Sequence, residues 1–408
     1  MEKHLLFKRF AGKRLHLGVT GSIAAFRVPE LVRRWQDAGI GVGATLTASA
    51  QRFIAPLTFE ALGALPVYGA MFAGEDVFGH LEPGQNADAL VIAPATADIL
   101  AKMAHGIADD MLSAQALAFD GPVVVAPAMN PRMWQNQATQ ANVALLKERG
   151  VTFVGPDSGR MACDDEGHGR LADLRMIYLA GLKSLTPQDM EGRNVLVTLG
   201  PTREPWDDVR FWTNGSTGSM GASIAIAAWL RGAEVHAVCG AVDIWLPSDA
   251  GFQRHDALSA AAMMDAAAGL WPHMDVGIFT AAVADFRPAP HGPGKFKKSG
   301  AEHGFSLEFL PNADILRTLA EDRSDGQIAV GFAAESSPDM DSLASAVRSK
   351  LASKGADMIV GNRISDGFGR ASNRVYAADA QGREEQWPEM PKTQVAWKIL
   401  DWVRTLGA

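Results

Sequence analysis

The sequence predicts an α/β protein of two Rossmann-like, doubly wound domains with mainly parallel sheets. Three observations carry that reading. The chain has 408 residues, too many for a single hydrophobic core. Short apolar runs bounded by Gly and Pro alternate with longer helical patterns, the order of strand–helix–strand units. That order breaks over the polar stretch Leu185 to Arg193, with Pro187, Asp189 and Gly192, and restarts at Asn194. The boundary is placed there, giving a first domain at 1–188 and a second at 189–408.

Composition narrows the class of protein. Hydrophobic content of 47% and charged content of 21% are those of a globular chain. A net charge of −8 argues against nucleic acid as a partner, while leaving room for a local basic site. Met1 to Lys13 mixes charged and aromatic residues and lacks the apolar core of a signal peptide. No run is long enough to span a bilayer, so a cytoplasmic protein without membrane contact is expected. Cys163 and Cys239 are too far apart for a disulfide framework or a zinc spacing.

Each element of the first half follows from its residues. Leu15 to Val19 reads as a strand, and Thr20-Gly21-Ser22 leads into a helix towards Ala38. Glycine at such a turn lets backbone N–H groups approach an anion at the helix start. A tight turn without a ligand is the competing reading. Pro29 kinks that helix or restarts it. Gly41 to Leu46 is a second strand, ending at Thr47, whose hydroxyl is suited to meet a ligand at the sheet edge. Asp88 to Ala93 is a third, and Pro94-Ala95-Thr96 opens a helix that ends in Gly106. Thr96 caps that helix or meets a ligand. Asp109-Asp110 lacks a third metal ligand and reads as charge at a helix N-terminus. Val123 to Ala126 is a buried strand, followed by Asn130 between Pro127 and Pro131. A stiff loop after a buried parallel strand is where such sheets hold ligands, although an ordinary Asx turn fits the same residues. Val151 to Val154 is one more strand. The glycine-rich segment Ser158 to Arg170 shows no periodicity, so Cys163 is expected in a loop, open to chemistry.

In sequence order, Thr20 to Ala25, His80, Ala93 to Asp98, Pro127 to Asn130, and Met161-Ala162-Cys163 with Gly167 and Gly169-Arg170 resemble the flavin-dependent cysteine decarboxylase family. The resemblance spans the whole first half. It implies a flavodoxin-like flavoprotein domain holding FMN across the subunits of a trimer. Gly21 and Ser22 would meet the FMN phosphate, with Thr47, Pro94, Ala95 and Thr96 nearby. It also implies that flavin oxidation of a cysteinyl thiol lets the carboxylate depart. His80 would handle a proton or charge at sulfur, Asn130 would hold the substrate carboxylate and Cys163 would return a proton. Two departures bear on this. Asp164 takes the place of a glycine after the cysteine and should raise the thiol pKa. Pro83 is expected to cut short a helix following His80.

The second half restarts with the strand Asn194 to Leu199. Asn214 to Gly221 is a small-residue loop leading into an alanine-rich helix, the anatomy of a phosphate cradle. A nicotinamide-binding domain would need G-x-G-x-x-G directly after the strand, and the glycines come too late. Lysines from separate segments, Lys295, Lys350 and Lys354, are suited to converge on a triphosphate. These segments resemble the ligase half of the fused decarboxylase–ligase enzymes of coenzyme A biosynthesis. The resemblance implies that CTP meets Asp285, Lys295, Pro311, Asn312, Asp314, Ile315, Phe332, Lys350 and Lys354. Arg210 and Asn214 match positions tied to an acyl-cytidylate intermediate, and Mg2+ would neutralise the triphosphate. No protein ligand for the metal is identified. Ser219 stands where the family usually carries lysine, which weakens phosphate binding unless another lysine substitutes.

The function so implied is CTP-dependent ligation of cysteine to 4′-phosphopantothenate, then FMN-dependent decarboxylation to 4′-phosphopantetheine. A homo-oligomer with trimeric flavin domains and dimeric ligase domains is expected. The alternatives are a chain with one active half, or a flavin-binding regulatory protein. The joint presence of His80, Asn130 and Cys163 argues against the regulator.

Overall fold

The apolar runs become the buried strands of two separate sheets. The computed structural model describes residues 2–71, 78–160, 165–292, 294–297, 304–367 and 369–407. Leu6–Thr186 forms one compact unit, and Pro187–Ala408 with Glu2–Leu5 forms the other.

The first unit contains β1 (Arg14–Val19), β2 (Gly41–Leu46), β3 (Val67–Tyr68), β4 (Ala89–Ala95), β5 (Val123–Pro127) and β6 (Thr152–Phe153). They form a parallel sheet in the order β3-β2-β1-β4-β5-β6. Apart from the two-residue β3 at the edge, the strands follow the 2-1-3-4-5 order of flavodoxin-type sheets. Every residue of β4 is buried, as expected of a strand covered on both faces.

Prolines start helices here. A 3-10 turn at Ile23–Arg27 is followed by the helix Pro29–Asp37, so Pro29 marks a restart. Pro83 lies in the first turn of the helix Glu82–Asn86. There its missing N–H has no helical partner to lose, so it opens a helix where the sequence suggested truncation. Asp110 caps the helix Met111–Ala118 through a reciprocal pair with Ser113, and Lys102 binds both Asp109 and Asp110. The segment read as a loop around Cys163 is flanked by an antiparallel pair, β7 (Asp157–Arg160) and β8 (Glu166–Arg170). Gly159 faces Gly167 across it, which leaves little side-chain alternation to read.

The second unit starts with β9 (Asn194–Leu199) and a ribbon of β10 (Arg203–Pro205) and β11 (Phe211–Thr213). Then come β12 (Glu234–Cys239), β13 (Phe252–Asp256) and β14 (Val276–Phe279). A second ribbon pairs β15 (Phe286–Pro288) with β16 (Phe309–Pro311). The last strands are β17 (Ile328–Glu335), β18 (Met358–Arg363), β19 (Ser372–Asp379) and β20 (Glu384–Pro391). The main sheet runs β13-β12-β9-β14-β17-β18-β19-β20, parallel as far as β18 and antiparallel beyond it. Leu196, Val238, Met263, Trp271, Phe279 and Leu319 belong to one core cluster.

The helix Ser219–Leu230 is buried from Gly221 onward, pressed onto β9 and β12. Gly221 permits the approach. A Cβ there would lie 2.3 Å from Thr280 Oγ1 and 2.5 Å from Leu199 Cβ. Gly218, just before the helix, has φ +72°, a conformation that side chains disfavour. Replacing Gly221 with Ala is expected to destabilise the second unit by about 1–3 kcal/mol through overpacking. Calorimetry of the full chain measures this, and an unchanged melting temperature would contradict the packing argument.

Candidate active sites

In the first unit β1 and β4 are adjacent, and their connections turn to opposite sides of the sheet. The chain fills the gap with specific hydrogen bonds. Thr20 Oγ1 donates to Pro94 O at 2.7 Å and accepts from Thr96 N at 3.0 Å. Ala128 N donates to Ala95 O at 3.0 Å, and Met129 N to Gly169 O at 2.9 Å. Three loops and strand β8 therefore converge at the ends of the strands. Gly21 is pressed against the next loop: a Cβ there would lie 2.4 Å from Ser49 Cβ.

A cavity of about 650 Å³ opens at this point. Ser22, Ile23, Phe26, Ala128, Met129 and Asn130 line it, together with Arg27, Arg160 and Arg170. Of the residues singled out in the sequence, Ser22 and Asn130 reach the wall, whereas Gly21, Pro94, Ala95 and Thr96 do not line it. Thr96 precedes the helix Ala97–His105 without making a side-chain cap. Thr47 Oγ1 accepts from Ala50 N at 3.2 Å, serving its own turn, and lies outside the lining, as does His80. Cys163 and Asp164 lie outside the described residues. Arg27 and Arg160 were not singled out, and Arg170 was named only with Gly169 in the motif that carries the resemblance, without a ligand role.

Asn130 forms an Asx turn and also points a donor at a carboxylate of the chain. Its Oδ1 accepts from Arg132 N at 2.9 Å, capping the helix Pro131–Gln135. Its Nδ2 donates to Asp165 Oδ2 at 2.6 Å. The amide is thus both a turn residue and a carboxylate-binding donor.

The turn that bears His80 is tied to the core by a buried polar chain that the sequence did not disclose. Gln115 Nε2 donates to Gly79 O at 2.8 Å, Thr45 Oγ1 donates to Gln115 Oε1 at 2.6 Å, and His16 Nε2 stands 2.7 Å from Thr45 Oγ1. Burial, with a smaller contribution from the Arg14 charge, lowers the His16 pKa to about 3. The Glu82 carboxylate, 3.9 Å from Nδ1, is too distant to offset burial. His16 therefore stays neutral in the folded protein, whereas the unfolded chain protonates near pH 6.5. Its stabilising contribution is full above that pH and falls as the pH drops towards 3, by about 2 kcal/mol at pH 5. Hydrogen exchange of the β1 and β2 amides is expected to show this loss between pH 7 and pH 5. A His16→Gln variant that loses protection to the same extent would contradict the assignment.

In the second unit the equivalent crevice lies between β9 and β14. Thr280 Oγ1 donates to Thr198 O at 2.7 Å, and Ala284 N donates to Thr202 Oγ1 at 3.1 Å. A cavity of about 700 Å³ extends from the start of the helix Ser219–Leu230 across the loop after β14. Asn214, Asp285, Asn312, Asp314, Ile315, Phe332, Lys350 and Lys354 all line it. Asn214 Nδ2 donates to Ala282 O at 3.0 Å and Val283 O at 3.3 Å, so this amide shapes the loop. Asn312 Nδ2 donates to Ala284 O at 2.8 Å, and Asp314 caps the helix Ile315–Glu321. Lys350 pairs with Glu335 at 2.7 Å and Lys354 with Asp314.

Three expected residues are not on this wall. Pro311 precedes Asn312 and accepts from Arg287 through its carbonyl at 2.7 Å. Arg210 pairs with Asp207 at 3.2 Å and lies over the rings of Trp206 and Phe296. Lys295 is exposed beside that aromatic cluster. Asn362, Asn373 and Lys392 line the cavity without having been singled out. They come from the strands and helix at the antiparallel edge of the sheet, where no motif marks them.

Residues 8–182 match the flavoprotein family, and residues 190–406 match the DNA/pantothenate metabolism flavoprotein C-terminal domain. The chain is therefore a flavoprotein domain joined to a second domain of the pantothenate-metabolism class. The coenzyme A biosynthesis bifunctional protein CoaBC of Vibrio vulnificus (strain CMCP6) is 37% identical over 401 residues, covering 97% of this chain and 98% of that protein. The protein of the same description from Escherichia coli (strain K12) is 39% identical over 373 residues, covering 90% of each. That from Bacillus subtilis (strain 168) is 39% identical over 399 residues, covering 96% of each. The chain belongs to this CoaBC family, the bifunctional decarboxylase/ligase enzymes of coenzyme A biosynthesis.

Proposed function

We propose that the chain converts 4′-phosphopantothenate to 4′-phosphopantetheine in two steps. The unit Pro187–Ala408 joins cysteine to the substrate using CTP, and the unit Leu6–Thr186 removes the carboxyl group using FMN. The observation that carries the reading is that each unit has its own cavity at the point where its sheet changes winding direction, the first mainly apolar with arginines at its wall and the second mixed polar and apolar.

In the ligase step the substrate carboxylate attacks the α-phosphate of CTP, and pyrophosphate leaves. The amine of cysteine then takes the acyl group, loses a proton and releases CMP. Backbone N–H groups at the start of the helix Ser219–Leu230 are suited to phosphoryl oxygens. Asn312, Asp314, Ile315 and Phe332 shape the nucleotide pocket, while Lys350 and Lys354 bring cations. Among the described residues no group of three or more His, Cys, Asp or Glu side chains could hold a metal. In this reading Mg2+ arrives with the triphosphate. Arg210, Lys295 and Pro311 take part on the strength of family likeness alone.

The first cavity suits FMN by its donor set. Ile23, Phe26 and Met129 give an apolar wall for a flat ring, and Arg27, Arg160 and Arg170 give cations for a phosphate. Bound FMN would supply two-electron oxidation of the cysteinyl thiol, which gives the electrons left by carbon dioxide a conjugated place to go, and would return the same two electrons as a hydride, so that the net reaction is redox-neutral. Asn130 Nδ2 donates to the departing carboxylate, exchanging Asp165 for the substrate. His80 handles charge at the sulfur, and Cys163, outside the described residues, donates the final proton. Ile23 and Phe26 are 53% and 64% exposed at the cavity edge, which supports a homo-oligomer whose neighbouring copy covers them. No described helix is long and apolar enough to cross a membrane, and the enzyme is read as cytoplasmic.

Asn130→Asp keeps the acceptor that caps the helix and removes the donor. The full chain carrying it is expected to retain its flavin spectrum and its CTP-dependent pyrophosphate release. Carbon dioxide release should fall on the order of 100-fold, the scale for loss of one placed donor. Decarboxylation at the unmodified rate would remove Asn130 from the mechanism.

A further inference from the structure

Ser219 opens the helix Ser219–Leu230 at the wall of the second cavity, at the position where family likeness leads one to expect a cation. Lys392 opens another helix, Lys392–Leu406, and its Nζ donates to Ser219 Oγ at 3.0 Å. Both side chains line the cavity.

The environment of Lys392 is unusual for a lysine. It is only 8% exposed, and burial pushes its ammonium below the ordinary lysine pKa. No neighbouring carboxylate offsets that effect among the described residues. Lys350 and Lys354, by contrast, each have an acidic partner. A cation in the first turn of a helix also meets the positive end of the helix dipole. Two helix starts and a buried ammonium therefore meet at one place on the cavity wall, an arrangement that is unfavourable alone and relieved by an anion. The buried Lys392 ammonium is thus a donor on the wall with a hydroxyl but no carboxylate beside it among the described residues.

We propose that Lys392 binds a phosphoryl group in the ligase cavity, reaching from the helix Lys392–Leu406 to supply the charge absent at Ser219. The group belongs to the CTP triphosphate or to the phosphate of 4′-phosphopantothenate, both of which offer the same oxygens. The inference rests on the reading of this cavity as the ligase site.

Isothermal titration of the full chain with CTP, with 4′-phosphopantothenate and with cytidine tests it. Lys392→Met keeps the apolar stem and removes the cation. Its affinity for one of the two phosphorylated ligands should fall at least about tenfold, with cytidine unaffected. The ligand that loses affinity identifies the phosphoryl group. The melting temperature should stay level or rise, because an unpaired buried charge has been removed; a purely structural lysine would lower it and leave affinity unchanged. Adding Ser219→Lys to the variant should recover most of the lost affinity. Unchanged affinity for both phosphorylated ligands in Lys392→Met overturns the proposal and leaves the ligase reading standing. A wild-type chain that binds neither CTP nor 4′-phosphopantothenate overturns both. Lys392→Gln, which keeps a donor to Ser219, gives the same comparison if the methionine variant does not fold: reduced affinity supports the proposal and wild-type affinity overturns it.

Discussion

In each unit, threonines secure the two strand ends between which the sheet changes winding direction. Thr20 bridges β1 to the exit of β4, and Thr198 with Thr280 bridges β9 to the exit of β14. Where parallel strands stop and their connections part, backbone groups lose their ladder partners and need others. A threonine hydroxyl both donates and accepts, so it can replace part of the ladder while the loops diverge. The crevice thus stays open with its edges pinned. Asn130 follows β5, and Asn214 follows β11 and donates to the loop after β14.

The two crevices are equipped differently. The first presents arginines beside apolar side chains, suited to a ring with a phosphate tail. The second presents helix starts and lysines, most of which are already paired with carboxylates. Paired lysines can exchange an acidic partner for a phosphoryl oxygen at modest cost. Among the described residues Lys392 has no such partner to give up, which sets it apart from the others.

Much of the scaffold was legible because buried parallel strands are written as continuous apolar runs. Gly41–Leu46 and Asn194–Leu199 begin and end where their residues indicated. The β7–β8 pair was hidden because its facing glycines erase the alternation on which strand reading depends. Pro83 misled because proline breaks a helix interior but favours a helix start, and sequence alone does not say which position it takes. The buried chain from His16 to Gly79 was invisible, since its members are dispersed along the sequence and carry no motif. Lys392 was equally hidden: it is 173 residues from Ser219, and only the fold joins them.

On this proposal one chain carries out both reactions, each in its own unit. The direct measurement is the ratio of carbon dioxide to pyrophosphate released when purified full-length protein receives CTP, 4′-phosphopantothenate, cysteine and Mg2+. Equal final amounts of the two products, each dependent on CTP, are the expected result. Pyrophosphate without carbon dioxide from flavin-loaded protein, or no pyrophosphate at all, would contradict the account.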